Sequence, residues 1–533
     1  MNDTALLIVG GGPVGLSAAL LASQYGIPCT LIERFEAPYK HPKARGVRTR
    51  AMELFQLWGL EPEIRAGAPA NPEFGFVYCE SLAGREYGRT PAGGADPAQS
   101  PTGDCRVPQD ELERILRRGV TRAPGVETRF GTALDSIEQD ATGVRALVTD
   151  TLTGEQQTLT ADYVIAADGA AGVIRPALGI EQDGEVLGFW QSVYWHGDLG
   201  DAIDGRTAIQ YLTADSSGGF TTVAPVDGAE RWMTFRMRGH DQTHPGALSD
   251  EDARALIRTA VGRDVAAEII STATYQVSAK VSRSYRSGRI FLAGDAAHTF
   301  PPTGGFGLNT GVQDAHNLLW KLALVRDGVA SQSLLDSYER ERRPIAESNA
   351  AWSMENATRF DAVWERLSSG QPAGDPIARQ KSHLLAVQRD LGFRYVTGDT
   401  APDALVVGDG SAPDLTAQVG RRAPHLWVGE GERRVSTLSL YDGKITVLHG
   451  VRGQQWADAA DTMGKRLDVR IESYCAPSAE FNVDPAAFAE LYQLAEDAAI
   501  LLRPDGHVAW RSSPGDTADA NTALASALGE LLT

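Results

Sequence analysis

Two glycine-rich segments, far apart in the chain, hold the residue types able to do chemistry. They are Gly10-Gly11-Gly12-Pro13-Val14-Gly15, and Gly294-Asp295-Ala296-Ala297-His298 followed by Pro301-Pro302-Thr303-Gly304-Gly305-Phe306-Gly307-Leu308-Asn309. The first can cradle a pyrophosphate. Gly10 allows a tight turn, Gly12 lets backbone approach phosphate with no side chain in the way, and Gly15 permits close packing of a helix on a strand. Pro13 and Val14 open that helix, whose N-terminal amides attract an anion. Glu33, about twenty residues further on, ends a second strand where a carboxylate can bind ribose hydroxyls, with Arg34 beside it. The second segment supplies what a plain dinucleotide site would not need. Gly294 and Asp295 lie at a strand end, and Pro301-Pro302 stiffens a loop while removing two N–H groups beside a reactive face. Gly304, Gly305, Gly307, Leu308 and Asn309 then lead into a helix whose positive end would meet a ring edge that gains negative charge, worth on the order of 1 kcal/mol or more when partly buried. Together the two segments outline a flavin site.

The elements that must position these residues follow from hydrophobic pattern. Ala5 to Val9 is a continuous apolar run, the signature of a parallel strand covered on both faces, and Val14 to Tyr25 reads as a helix. The run from Ala5 to Ala22 also has the composition of a signal peptide. That reading fails because Asp3 precedes it, no basic flank exists, and Gly10-Gly11-Gly12-Pro13 would break the helix that a membrane span needs. A basic loop, Lys43 to Arg50, leads to a helix at Ala51 to Trp58; Arg48 and Arg50 read as an ordinary solvated basic face. The stretch from 71 to 104 is rich in Gly, Pro and Ala and reads as an excursion toward a second sheet. Tyr163 to Ala167 is another buried strand, ending in Asp168-Gly169.

From Glu185 to Val281 the texture becomes antiparallel: Trp232, Thr234 and Arg236 alternate with Met233, Phe235 and Met237, a period of two. Arg289 to Ala293 returns to the parallel-strand texture. The expected class is therefore α/β, with a discontinuous Rossmann-like cofactor domain at 1–175 and 285–398 and an antiparallel-sheet substrate domain at 176–284. A linker at 399–420 and a domain at 421–533 follow. That last segment runs strand, helix, strand, helix, hairpin, helix, a thioredoxin-like order. It has one cysteine, Cys475, where a dithiol active site needs two, so a structural or dimerisation role is expected.

Composition bounds the partners. The chain has 533 residues, too many for one core, and a formal charge of −19, which disfavours nucleic acid and anionic membranes because both demand a basic face. The four cysteines show neither C-x-x-C nor metal-ligand spacing, so no metal is expected and a reducing cytoplasm is the default. A monomer or homodimer is expected.

On its motifs the chain resembles the single-component FAD-dependent aromatic hydroxylases, most closely the branch with a C-terminal thioredoxin-like extension whose members oxidise polycyclic aromatic polyketides. The similarity covers nearly the whole chain and is strongest at Gly10 to Gly15, Asp168-Gly169 and Gly294 to Asn309. It implies non-covalent FAD, NADPH or NADH as co-substrate, and O2, with an electrophilic oxygen delivered to an electron-rich ring through a C4a-hydroperoxyflavin. It implies that Asp295 and Gln109 bind the ribityl chain and that Arg45 lies near the pyrophosphate and isoalloxazine edge. By the same resemblance Asp168 serves FAD and transient NAD(P)H binding, and Arg45, Pro302 and Gly304 stand beside the reacting atoms. Tyr211, Phe220 and Trp232 are candidate surfaces for the aromatic acceptor. Two positions depart from the family pattern: Lys43 replaces a frequent Arg, and Ala170-Ala171-Gly172 replaces a Ser with a basic neighbour.

Other classes stay open on sequence. A Baeyer–Villiger or epoxidising oxygenase would share the flavin site, as would a hydroxylase of a small phenol. A halogenase should carry a Trp-x-Trp-x-Ile-Pro segment, which is absent. A plain dehydrogenase would not need the second glycine loop. A non-catalytic flavoprotein scaffold would lack NADPH turnover.

Overall fold

The computed structural model describes residues 2–38, 40–93, 96–214, 219–228, 230–239, 244–380, 387–395, 413–513 and 519–533; most of the expected linker, 396–412, lies outside the described residues. Three sheets organise the chain. In the first, parallel strands run in the order Ile290–Leu292, Gln156–Ala166, Thr4–Val9, Cys29–Glu33, Val126–Phe130, with an antiparallel extension through Val144–Asp150 and Thr132–Gln139. Leu6, Leu7, Ile8 and Leu31 are fully buried, as the uninterrupted apolar runs require, because helices Pro13–Gln24, Gln109–Arg122 and Gly307–Arg326 pack on this sheet.

The second sheet, in the order His298–Thr299, Glu268–Ser282, Gln182–His196, Arg231–Gly239, Phe220–Pro225, Ala208–Ala214, Phe74–Cys79, Glu86–Pro91, is antiparallel except where Ala208–Ala214 meets Phe74–Cys79. The 71–104 excursion thus donates two strands to it. Side chains alternate across this sheet. Trp195, Trp232, Tyr211, Val193 and Val223 turn to one face and pack with helix Asp250–Val261, while Tyr194, Met233, Phe235 and Ala224 turn to the other.

The C-terminal sheet runs Ile471–Cys475, Ile445–His449, Ala499–Leu502, Val508–Arg511, flanked by helices Gln454–Leu467, Pro485–Tyr492 and Ala520–Leu531. It joins the rest through apolar packing of Leu524, Leu528 and Leu531 with Leu324 and Ala330, and through buried ion pairs. Arg50 belongs to those pairs, which corrects the expectation of a solvated loop. It is 3% exposed, pairs with Glu53 at 2.8 Å, and Glu53 pairs in turn with Arg422 at 2.7 Å. Burial alone would raise the Glu53 carboxyl; the two guanidiniums hold it down to about 2. Among the described residues, no helix is long and apolar enough to cross a membrane and no cluster of His, Cys, Asp and Glu could hold a metal.

Candidate active site

A cavity of about 1100 Å³ opens between the first two sheets. Gly10 to Val14, Glu33, Arg34 and Asp168 line the wall built on the parallel sheet. Trp190, Leu212, Phe220, Met233 and Phe235 line the wall built on the antiparallel one, with Asp295 and Pro301 to Leu308 between them.

The first glycine loop divides its labour. Gly10 has φ +111°, and a Cβ there would collide with the Ala167 carbonyl; a Cβ on Gly15 would collide with the carbonyl of Gly10. Both are glycines for the sake of the protein's own packing. Gly12 is different, because a Cβ there would meet no protein atom within 4 Å, although the residue faces the cavity with an ordinary φ of −77°. Space kept clear of protein at the uncapped N-terminus of helix Pro13–Gln24 fits a phosphate. Glu33 is fixed by accepting from the amides of Gly11 at 2.6 Å and Phe35 at 2.9 Å. Asp168 accepts from the Ile174 amide at 3.1 Å, has no partner for its other oxygen among the described residues, and is pushed up from its ordinary value by burial.

The second loop is delivered by strand Ile290–Leu292 and anchored by a neighbouring helix. Gly294, at φ +61°, packs on Val14 and does not line the cavity. Asp295 opens to the cavity, and among the described residues no protein group donates a hydrogen bond to its carboxylate. Enclosure by protein on its other sides raises its pKa, against the pull of His298 and Lys43. A carboxylate so placed calls for hydroxyl donors from a ligand. His298 is no acid or base for the cavity: it is buried, stacks on Phe300, and its Nε2 meets Asp314 at 2.8 Å. Beyond it, Pro302, Gly305, Gly307 and Leu308 line the cavity where helix Gly307–Arg326 begins, again with no side-chain cap.

Several expected residues also brace the protein's own backbone. Asn309 is 1% exposed and turned from the cavity; it accepts from the Arg48 amide at 2.9 Å and donates to the carbonyl of Gly305 at 2.6 Å, tying the basic loop to the glycine loop. Arg48 donates to the Gly304 carbonyl at 2.9 Å, so it too is structural rather than solvated. Gln109 accepts from the Ala44 amide at 3.0 Å and donates to Glu113 at 2.8 Å, presenting its remaining surface to the cavity. Arg45 reaches away from the first glycine loop, to the carbonyls of Ile209 at 3.3 Å and Pro225 at 3.4 Å on the antiparallel sheet. Burial and the charge of Arg106 lower its pKa to about 10.

Tyr211 and Trp232 border the cavity, yet each is 1% exposed and packs mainly with helix Asp250–Val261; the Tyr211 hydroxyl donates to the Arg206 carbonyl, and Trp232 Nε1 donates to the Gly197 carbonyl at 2.9 Å. Their strand neighbours Leu212 and Met233 line the cavity as well, with Phe235 stacked on Trp190 at 4.5 Å. Phe220 does line the cavity, stacked on Trp364 at 5.8 Å. Tyr275 was missed: it borders the cavity beside Trp190 and near Arg45, and burial pushes its hydroxyl well above the ordinary value.

Residues 3–353 match the family described as FAD binding domain, and residues 416–532 the one described as aromatic-ring hydroxylase, C-terminal. A putative polyketide hydroxylase of Streptomyces coelicolor is 34% identical, over 99% of this chain and 96% of its own. A 4-methyl-5-nitrocatechol 5-monooxygenase of a Burkholderia species is 36% identical, over 99% of this chain and 98% of its own. Among solved structures, the flavin-dependent monooxygenase PieE in complex with FAD and substrate superposes with a TM-score of 0.88 at 31% identity, over 99% of this chain and 100% of that one.

Proposed function

Since the chain belongs to the FAD-binding aromatic-ring hydroxylases, we propose that it is a monooxygenase that uses NAD(P)H and O2 to hydroxylate a polycyclic aromatic phenol or quinone of polyketide type. The observation that carries the acceptor's size is the shared cavity. At about 1100 Å³ it exceeds the usual range for a single small-molecule site, and its second wall carries Trp190, Phe220 and Phe235. A single-ring phenol would leave much of that wall in contact with water.

Bound FAD supplies the hydride acceptance and oxygen activation. The chain's own residues do the rest. Amides at the starts of helices Pro13–Gln24 and Gly307–Arg326 face anionic groups, and Asp295 and Gln109 orient hydroxyls. Trp190, Met233 and Phe235 exclude water from the acceptor side. Tyr275, kept protonated by its surroundings, donates a hydrogen bond to an acceptor oxygen rather than removing its proton, and Arg45 favours negative charge on that oxygen.

The test is a panel of phenols and quinones scored for stimulation of NADPH oxidation, with products weighed after turnover in labelled O2. A three- or four-ring hydroxyquinone should stimulate oxidation and gain one labelled oxygen, while 4-hydroxybenzoate and simple phenols should not. Coupled turnover of a one-ring phenol, with none of any polycyclic compound, would overturn the assignment.

A further inference from the structure

Asp314 lies on helix Gly307–Arg326, fully buried and outside the cavity wall, yet it holds both flanks of Asp295. Its Oδ2 accepts from the Gly294 amide at 3.1 Å and meets His298 Nε2 at 2.8 Å; its Oδ1 accepts from Arg342 Nε at 2.7 Å. Arg342, also fully buried, gives its other N–H groups to the Thr310 carbonyl at 3.1 Å and the Tyr395 hydroxyl at 3.2 Å. The Tyr395 ring rests on the Arg503 guanidinium at 5.1 Å and on the His507 ring at 4.5 Å. Arg503 and His507 belong to the C-terminal domain.

Arg503 closes a second route to the same helix. It grips Glu341 with both ends of its fork, at 2.7 and 2.9 Å, and Asp505 at 2.6 Å. Glu341 precedes Arg342 in the chain and binds Lys321 at 2.8 Å and Asn317 at 2.6 Å, both on the helix that carries Asp314. Every charge in this set is buried, so each depends on its neighbours for a partner: removing one strands the next in low dielectric. The set therefore behaves as one piece, with one end in the C-terminal sheet and the other at the loop that presents Asp295.

We propose that the C-terminal domain is the anchor of the cofactor loop, with Arg503, Tyr395, Arg342 and Asp314 as positioning residues for flavin binding. This gives a purpose to a domain that carries the shape of a thioredoxin and a single cysteine. The inference rests on flavin binding by the Gly294–Asp295 loop and is independent of which acceptor is hydroxylated.

The test uses the full chain and no turnover. FAD affinity is read by fluorescence quenching, the visible flavin spectrum is recorded, and the midpoint potential of bound FAD is measured. Arg503→Lys keeps the charge and loses the fork. Tyr395→Phe removes one hydroxyl, and Asp314→Asn removes the carboxylate. Each should weaken FAD binding by about 2- to 30-fold and shift the spectrum or potential, with the combined effect of Tyr395→Phe and Asp314→Asn smaller than the product of the two. Arg422→Gln breaks another buried interdomain pair, Arg422–Glu53, and should lower the unfolding temperature with FAD affinity unchanged. Wild-type affinity and potential in folded Arg503→Lys and Tyr395→Phe would overturn the proposal. So would a simple product in the double variant, or an equal loss of affinity in Arg422→Gln.

Discussion

Two glycines three residues apart should respond to alanine very differently when stability is measured without cofactor. At Gly12 the protein leaves the Cβ position clear, and the backbone, at φ −77°, suits any L-residue. Alanine there restricts the unfolded chain, a gain of about 0.4–1 kcal/mol, against a loss of similar size because alanine is a poorer N-cap than glycine. The apoprotein should be nearly unchanged in stability. At Gly15 the added carbon would collide with the Gly10 carbonyl, backbone that cannot step aside without moving the turn, at a cost of about 1–3 kcal/mol or more. FAD affinity should fall in both. In Gly12→Ala the methyl occupies room meant for phosphate, and the same overpacking range converts to a loss of about 5- to 150-fold. Thermal unfolding of the stripped protein and FAD titration separate the cases. Gly12→Ala with wild-type affinity would refute the placement of the pyrophosphate; Gly15→Ala with wild-type stability would refute the packing argument.

Asp390 is buried beside Arg48, Asp104 and Glu53, accepts from the Arg50 amide at 2.9 Å, and is pushed up to about 6, mainly by burial. A raised carboxyl stabilises the fold only while protonated, so its contribution is complete below the ordinary value near 3.8 and is lost as pH rises through 6. Asp390→Asn should therefore increase stability at pH 7.5 by no more than about 3 kcal/mol, read as a higher unfolding temperature, and leave it nearly unchanged at pH 4. Trp232→Phe should cost about 1 kcal/mol or more of stability, through the lost bond to Gly197 and the lost volume, with acceptor affinity intact. Cys475→Ser should leave coupled turnover unchanged, since a single thiol cannot run a dithiol cycle; loss of activity in folded protein would show otherwise.

The local parts of the site were legible because each is written in one short stretch. A strand, a glycine turn and a helix carry Gly10, Gly12 and Gly15, and the period of two marked the antiparallel sheet. Periodicity separates the two faces of a strand without saying which one is the cavity. Trp232 and Met233, one residue apart, both border the cavity, and only the structure shows that Trp232 packs mainly with helix Asp250–Val261. Arg50 read as solvated because what covers it lies hundreds of residues away in sequence: it donates to the Asp505 carbonyl, and the Glu53 carboxylate that balances its charge is shared with Arg422. Asp314 was invisible for the same reason: an acid in a helix looks like surface until Arg342, His298 and the Gly294 amide are seen around it.

The same backbone ladder also fixes where the cofactor loop stands relative to the acceptor. The loop leaves the parallel sheet at Leu292 and by His298 is already a strand of the antiparallel one, with Val281 paired to His298 and Lys280 to Thr299. Strand Glu268–Ser282 then pairs along its length with Gln182–His196, which carries Trp190 into the cavity wall. Oxygen transfer tolerates misplacement of about an ångström poorly. Here that distance is set by main-chain hydrogen bonds, and the side chains facing the cavity are left free of the task. Substitutions at Leu212, Phe220, Met233 or Phe235 can thus reshape the acceptor site without displacing Asp295 or Pro302. On that account a polyketide hydroxylase and a nitrocatechol monooxygenase can both align with nearly the whole of one chain, and acceptor choice should be altered by the cavity-facing side chains of the antiparallel sheet before any change in the glycine loops.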